Sequence, residues 1–386
     1  MATAPSFRTA HSRGAGKKSA RFADLAEHLR TDWKDRFQFN EFTASNEYLN
    51  GRDVLEPVGD VEVLKILEAL QLNSYRGARK EVLRDAIALV CRETPYHPVR
   101  DWLEGLVWDG AERANAWLVE CLGCADTPYT RAVGRMFLIA MVARIMEPGC
   151  QADYMLILDG PQGVEKSKAC RILAGDTAFS ENLPLLDQDP VRVSMALRGM
   201  WLVEISEMHT FRRANIESLK AFVTRRVEQF TPKYARSVVS EPRQCLFIGT
   251  ANGWQHEDET GARRFWPVVV GRIYLDRLTG MRDQLLAEAL TLFRQGEPHW
   301  PDAAFENQHI KPIQEERLRV DARLNEIETY LVGRTNTTLL ELWQHCLHGE
   351  MSRYGRPEQL MVAGCLRVLG WKETHRHGKS RFWGKA

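Results

Sequence analysis

The chain has 386 residues, 44% of them hydrophobic and 27% charged, with a formal net charge of +1. That balance fits a globular protein with room for two or three domains and a sizeable core, and it gives no whole-chain sign of an anionic partner. No apolar run approaches the roughly 18 residues that a membrane span needs, so no membrane association is expected.

The charge distribution says more than the total. Arg8, Arg13, Lys17, Lys18 and Arg21 stand in the first 21 residues without an acid, which reads as a disordered basic tail rather than a transit peptide. Arg367, Lys372, Arg376, Lys379, Arg381 and Lys385 crowd the last twenty residues against Glu373 alone. Basic ends on a neutral body predict local contact with a polyanion. Among the cysteines only Cys121 and Cys124 form a CxxC pair. A zinc site needs further ligands and none is near, so free thiols in a reducing, cytoplasmic setting are expected.

In chain order, Phe22 to Arg36 predicts a helix, and residues 36–51 alternate as a hairpin does. Helical patterns follow at 60–71, 79–92, 98–105, 111–122 and 129–145, giving a mostly helical region over 22–150. The texture then changes. "YMLILDG" is a short continuous apolar run, as in a strand buried on both faces. "MWLVEIS", "QCLFIGTAN" and "RFWPVVV" repeat it, separated by helical patterns at 189–197 and 214–229 and a hairpin at 230–243. Strands alternating with helices predict an α/β core with a parallel sheet over 151–305, closed by a helix from Leu275 to Arg294. Residues 306–386 read as a linker helix, two short helices and a two-strand pattern around His377-Gly378. That is the order of a winged helix-turn-helix.

The chemistry lies in the α/β block. The strand at 154–158 runs into "DGPQGVEKSKACRIL". A strand, a glycine-rich loop and a helix opening on Lys-Ser make a phosphate-wrapping P-loop, with Gly160, Gly163, Lys166 and Ser167 in place. The lysine reaches the β/γ-phosphates of ATP and the hydroxyl holds Mg²⁺. Position 165, where the pattern has its last glycine, is Glu. A side chain and a negative charge there would oppose a phosphate, so two readings stand open: a working ATPase, or a chain that keeps the fold and has lost nucleotide binding.

"WLVEISEM" is an apolar strand delivering carboxylates at its end. Glu204 is the candidate Mg²⁺ partner beside Ser167, and Glu207 the candidate that orients the attacking water. "LFIGTAN" ends in Thr250 and Asn252, and Asn252 is the candidate γ-phosphate sensor. Arg263 and Arg264 precede the fourth strand and suit arginine fingers acting from a neighbouring subunit. Lys233, Tyr234 and Arg236 fall at a hairpin tip, where a cation beside an aromatic suits single-stranded nucleic acid. Arg376, Lys379 and Arg381 mark a basic wing suited to duplex contact.

Four segments in this order, "YHPVRDWLEGLVWDG", "EPGCQADYMLILDGPQGVEKS", "MWLVEISEM" and "CLFIGTANGWQHEDETGARRFWPV", resemble the virulence-associated protein E family over about residues 95–270. Those are P-loop proteins of phages and mobile islands related to superfamily 3 helicases. The resemblance implies an AAA+-like ATPase core that assembles as a hexamer or another ring and moves on DNA during replication in a bacterial host. It carries the phosphate-loop role to Gly160, Gly163, Lys166 and Ser167, and the acidic motif to Glu204 and Glu207. The sensor role goes to Asn252 and the arginine motif to Arg263 and Arg264. Many members carry a primase domain upstream. Here a primase would be a separate partner.

Overall fold

A computed structural model describes residues 20–72, 75–184, 189–208, 213–232, 237–254, 264–316, 322–377 and 380–385. The chain divides into two compact units, the first running to Glu315 and the second from Glu316 onward.

The first unit begins with α1 (Phe22–Thr31), β1 (Phe37–Asn40), β2 (Ser45–Leu49), β3 (Leu55–Pro57), α2 (Asp60–Leu72), α3 (Lys80–Glu93) and β4 (Pro95–Tyr96). The apolar faces of the three helices meet the sheet around Leu25, Leu29, Trp33, Ile66, Leu83 and Ile87. The strands order as β3-β2-β1-β4, with β4 parallel to β1 and the other pairs antiparallel. The mostly helical region expected over 22–150 is therefore mixed. The alternation at 36–51 marked β1 and β2, but β3 and β4 span two or three residues, too short for a period to register.

Then come α4 (Pro98–Gly105), α5 (Trp117–Leu122) and α6 (Pro128–Met146). Helix α5 is shorter than the predicted 111–122, because the buried Glu288 carboxylate accepts from the backbone N–H groups of Arg113 and Ala114 and holds them in a loop. Helix α6 starts where Thr127 caps the N–H of Thr130 and Pro128 opens the first turn. It is buried on nearly all sides, as suits a helix laid along the sheet.

The α/β block contains β5 (Met155–Asp159), α7 (Lys166–Ala174), β6 (Phe179–Ser180), α8 (Pro190–Ala196), β7 (Leu202–Ile205), α9 (Arg213–Val223), β8 (Val227–Phe230), β9 (Val239–Pro242), β10 (Leu246–Ala251), β11 (Phe265–Val269) and α10 (Leu275–Arg294). Its five-stranded sheet has the order β11-β5-β10-β7-β6, and every pair is parallel. Alternate residues serve opposite faces. Leu156, Leu158, Ile248 and Trp266 join α6, α7 and α10 in one core, while Met155, Ile157, Phe247 and Phe265 join α9 in another. Such double burial explains the continuous apolar runs in the sequence.

The predicted helix at 214–229 ends at Val223 instead, and the hairpin β8–β9 starts at Val227. Buried Arg243 accounts for the stop. Its Nη1 donates to the carbonyls of Phe222 (2.6 Å) and Val223 (3.3 Å), and its guanidinium pairs with buried Glu228. Residues 227–230 then alternate between exposed and buried. A helical stretch from Ala303 to Glu316, π-helical over Glu306–Ile310, returns to this core, burying Ile310; Gln314 donates to the Phe265 carbonyl (3.1 Å).

The second unit holds a helix over Ala322–Leu331, a strand over Asn336–Thr338, a short helical segment over Leu339–Cys346, a helix over Arg356–Val368, and strands Trp371–His377 and Ser380–Lys385. The last strand lies between the other two, antiparallel to both. Ile327, Leu342, Val362, Leu366, Trp371 and Trp383 form its own core. Among the described residues no helix is long and apolar enough to cross a membrane.

Candidate functional site

The carboxyl ends of the parallel strands meet at one edge of the sheet, and the loop after β5 turns there into α7. Gly163 takes φ +84°, and a side chain added to it would meet open space. Glu165 sits in the left-handed region, at φ +67° and ψ +29°, the conformation for which glycine is favoured. It makes no side-chain cap on α7. The first N–H groups of that helix are thus left without a side-chain cap from Glu165. The Glu165 side chain ion-pairs with Lys168 one turn along, its Oε1 2.6 Å from Lys168 Nζ, and both residues line the cleft.

Lys166 folds over the loop and donates to the carbonyls of Gly160 (2.6 Å) and Pro161 (2.8 Å). Burial holds the pKa of its ammonium below the usual lysine value, while the charges of Asp159 and Glu204 oppose that shift. Ser167, in the first turn, donates to Glu204 Oε1 (2.9 Å), and Thr250 donates to the same oxygen (2.6 Å).

Period-2 alternation and register explain this meeting. Ile248 lies opposite Glu204 on β7, so Thr250, two residues on, faces the same side of the sheet, the side that α7 covers. Glu204 is 2% exposed, and its other oxygen, Oε2, is buried without a hydrogen-bond partner among the described residues. A buried carboxylate with an unsatisfied oxygen beside a serine hydroxyl suits a hard, oxygen-preferring cation. The donor set thus fits Mg²⁺ held by Ser167 and Glu204.

These groups line a cleft of about 560 Å³, walled by residues 162–168 on one side and by Glu204, Ser206, Glu207, Thr250 and Asn252 on the other. That volume is within the range of small-molecule sites. Glu207 is exposed and held at φ +54°. Two of the six non-glycine residues with positive φ among the described residues, Glu165 and Glu207, therefore line this one cleft. Strained backbone concentrates at functional sites. The structure thus places Gly163, Lys166, Ser167, Glu204, Glu207 and Asn252 on one cleft, with Gly160 joined to it through its carbonyl's bond from Lys166.

Arg264 is not among them. It immediately precedes β11, whose Phe265 registers with Met155 at the start of β5, whereas Val269 registers with Asp159 at its end. At ~3.3 Å per residue this places Arg264 roughly 13 Å or more below the cleft, at the opposite end of the strands. Arg263, Lys233, Tyr234, Arg236 and Lys379 lie outside the described residues. The backbones of Arg376 and Arg381 pair across the two last strands of the second unit. Cys121 and Cys124 are both buried in the core, and burial pushes their thiols up to about 11 and about 12.

Sequence reasoning missed two residues here. Asp159, which closes β5, is 7% exposed, and its Oδ1 accepts from the N–H groups of Gly253 (2.8 Å) and Trp254 (3.1 Å). An acid ending an otherwise apolar strand was the available signal. Lys168 was the other, three residues after the anomalous Glu165.

Comparison with known proteins agrees with this architecture. The model of the virulence-associated protein E-like domain matches residues 103–319, more than half of the chain. No curated protein matches by sequence. Among solved structures, the apo structure of the NrS-1 C-terminal region (305–718) superposes with a TM-score of 0.50 at 13% identity, covering 93% of this chain and 98% of that one. That likeness is one of fold. The X-ray structure of JCV helicase aligns with a TM-score of 0.32 at 13% identity, covering 82% of this chain and 98% of that one. With a match across residues 103–319, more than half of it, and with its five-stranded parallel sheet, the chain belongs to the virulence-associated protein E-like family.

Proposed function

We propose that this protein is an ATP-dependent DNA helicase or translocase of a phage or mobile genetic element, working in replication as a ring of identical subunits, a hexamer or a ring of another size, in the cytoplasm of a bacterial host. The observation that carries the proposal is the Ser167–Glu204–Thr250 cluster at the mouth of the uncapped helix α7, with the Lys166 ammonium beside it. An AAA+-like P-loop core is the architecture that this reading implies.

In this reading the loop N–H groups between Gly160 and Lys166 and the open end of α7 wrap the phosphates of ATP. Lys166 leaves its two carbonyl partners for the β- and γ-phosphates. Ser167 and Glu204 hold Mg²⁺, which supplies Lewis-acid charge to the phosphate oxygens when bound. Thr250 fixes the Glu204 carboxylate by its hydrogen bond. Glu207 orients a water and accepts its proton as the water attacks the γ-phosphorus, and the bond to the β-phosphate bridging oxygen breaks to leave ADP. Asn252 contacts the γ-phosphate. Arg263 and Arg264 supply positive charge to the site of a neighbouring subunit, for which the far-end placement of Arg264 is support.

The reading of Glu165 as a lesion is weakened by its ion pair, since Lys168 partly offsets the charge of the carboxylate. For DNA, Lys233, Tyr234 and Arg236 would meet a single strand at the β8–β9 hairpin. The second unit would act as a winged helix that meets duplex through Arg376, Lys379 and Arg381. A separate primase would act alongside it.

The test is ATP hydrolysis by the purified chain with and without single-stranded DNA, beside Lys166→Ala. Turnover stimulated by DNA and abolished by the substitution is expected. Absence of turnover in the unaltered chain would leave the proposal without its enzyme.

A further inference from the structure

Resting on that reading of the cleft, we infer that Asp159 is a positioning residue: its buried carboxylate clamps the Asn252 turn to the phosphate loop, so that Asn252 distinguishes ATP from ADP. The geometry holds Asn252 from both sides. On one side, Gly160 donates its N–H to the carbonyl of Ala251 (3.1 Å). On the other, Asp159 Oδ1 accepts from Gly253 (2.8 Å) and Trp254 (3.1 Å). Two consecutive residues that lead into the loop thus bracket the residue that follows β10. Asn252 lies between the two tethers, exposed on the wall of the cleft.

Chain geometry makes the clamp necessary. Strand β10 leaves the sheet after Ala251, and Gly253 turns at φ +76°. Neither Gly253 nor Trp254 belongs to a strand, and a turn at a strand end opens more readily unless side chains hold it. Asp159 is the last residue of β5 and registers with Ala251, so its side chain begins level with the point where the ladder stops. Its own carbonyl accepts from Val270 (2.8 Å), which fixes the residue on its other flank. Burying a carboxylate is costly unless it is well bonded, and two N–H donors converging on one oxygen meet that need.

Asp159→Asn would keep the shape and an acceptor oxygen but lose the charge, weakening the two N–H bonds that hold the turn.

The experiment compares the unaltered full chain with Asp159→Asn, Asn252→Ala and the double variant. Amide hydrogen exchange at Gly253 and Trp254 is read without nucleotide, and ADP affinity, affinity for a non-hydrolysable ATP analogue and kcat are read with Mg²⁺. In Asp159→Asn the two amides should exchange about tenfold faster or more. ADP affinity should stay within about twofold, the preference for the ATP analogue should be lost, and kcat should fall about tenfold. Asn252→Ala should reproduce the loss of preference, and the double variant should be no worse than either single one.

Equal loss of ADP and ATP-analogue affinity would overturn the inference, as would unchanged amide exchange or unchanged kcat. If Asp159→Asn does not fold, the unaltered chain decides: Gly253 and Trp254 amides should exchange as slowly as that of Gly160, and fast exchange there overturns the clamp. An unaltered chain that binds neither nucleotide refutes the functional reading itself, whereas unchanged exchange in an ATP-hydrolysing chain refutes only the role of Asp159.

Discussion

Glu165 and Lys168 form an ion pair of 2.6 Å across the first turn of α7, with Glu165 in the backbone conformation that a glycine would take. The pair is partly exposed, so its contribution to folding is small. Its consequence is local: the one acid in the phosphate loop has a cation of its own. Glu165→Gly should therefore change ATP affinity by no more than about threefold. Its effect on stability should stay within about 1 kcal/mol, since the strain relieved offsets the chain entropy of glycine. Lys168→Ala should weaken ATP binding by about five- to tenfold while Glu165 is present and much less in the Glu165→Gly background. Calorimetric titration of the four chains measures this coupling, and additive effects would refute it.

Glu204 and Glu207 should separate by function. Glu204→Gln removes charge from the buried oxygen pair that Ser167 and Thr250 address, so the Mg²⁺ concentration needed for nucleotide binding should rise steeply. Glu207→Gln should leave binding intact and slow turnover by about a hundredfold or more, within the range typical of a lost general base. Parallel binding and single-turnover assays separate the two. Normal turnover in Glu207→Gln would remove that residue from the mechanism.

How much of this was open to inspection in the sequence depended on the range of the interaction. The parallel strands were legible because double burial leaves unbroken apolar runs, and "MLILD" and "LFIGTA" carry them. The loop and its lysine were legible because their chemistry is local. The end of α9 was not, since the residue that stops it, Arg243, comes twenty positions later. Nor was the ion pair of Glu165 with Lys168: the identity of a residue does not tell which neighbour a left-handed backbone aims it at. The position of Arg264 required the strand order, since only the pairing of β11 with β5 places it at the far end of the sheet.

That placement yields a prediction about assembly. Arg264→Ala subunits mixed with Glu207→Gln subunits should recover part of the ATPase activity that each lacks alone, because mixed interfaces pair an intact Glu207 with an intact Arg264. Mixtures that assemble but remain inactive would mean that the arginine does not act across an interface.

A pH effect on stability follows from His97. It is buried, and burial lowers its pKa below the ordinary 6.5. Its Nδ1 accepts from the Arg100 N–H (3.1 Å) and its Nε2 lies 2.6 Å from Gln244 Oε1, so the neutral ring with its proton on Nε2 fits the network. A group whose folded pKa lies below its unfolded one takes up protons preferentially when unfolded. Stability should therefore fall as pH drops below about 6.5, and the loss should level off below the folded pKa. His299, also lowered by burial, acts in the same direction. Urea unfolding between pH 7.5 and 5 should show this slope, reduced in His97→Gln; an unchanged slope would show that His97 contributes nothing.

The most direct test of the central claim is titration of ATP into the unaltered chain with and without Mg²⁺, alongside Lys166→Ala. The account predicts Mg²⁺-dependent binding to the unaltered chain with Glu165 in place, weakened at least tenfold by Lys166→Ala. Absence of binding to the unaltered chain, or equal binding by the two proteins, would contradict it.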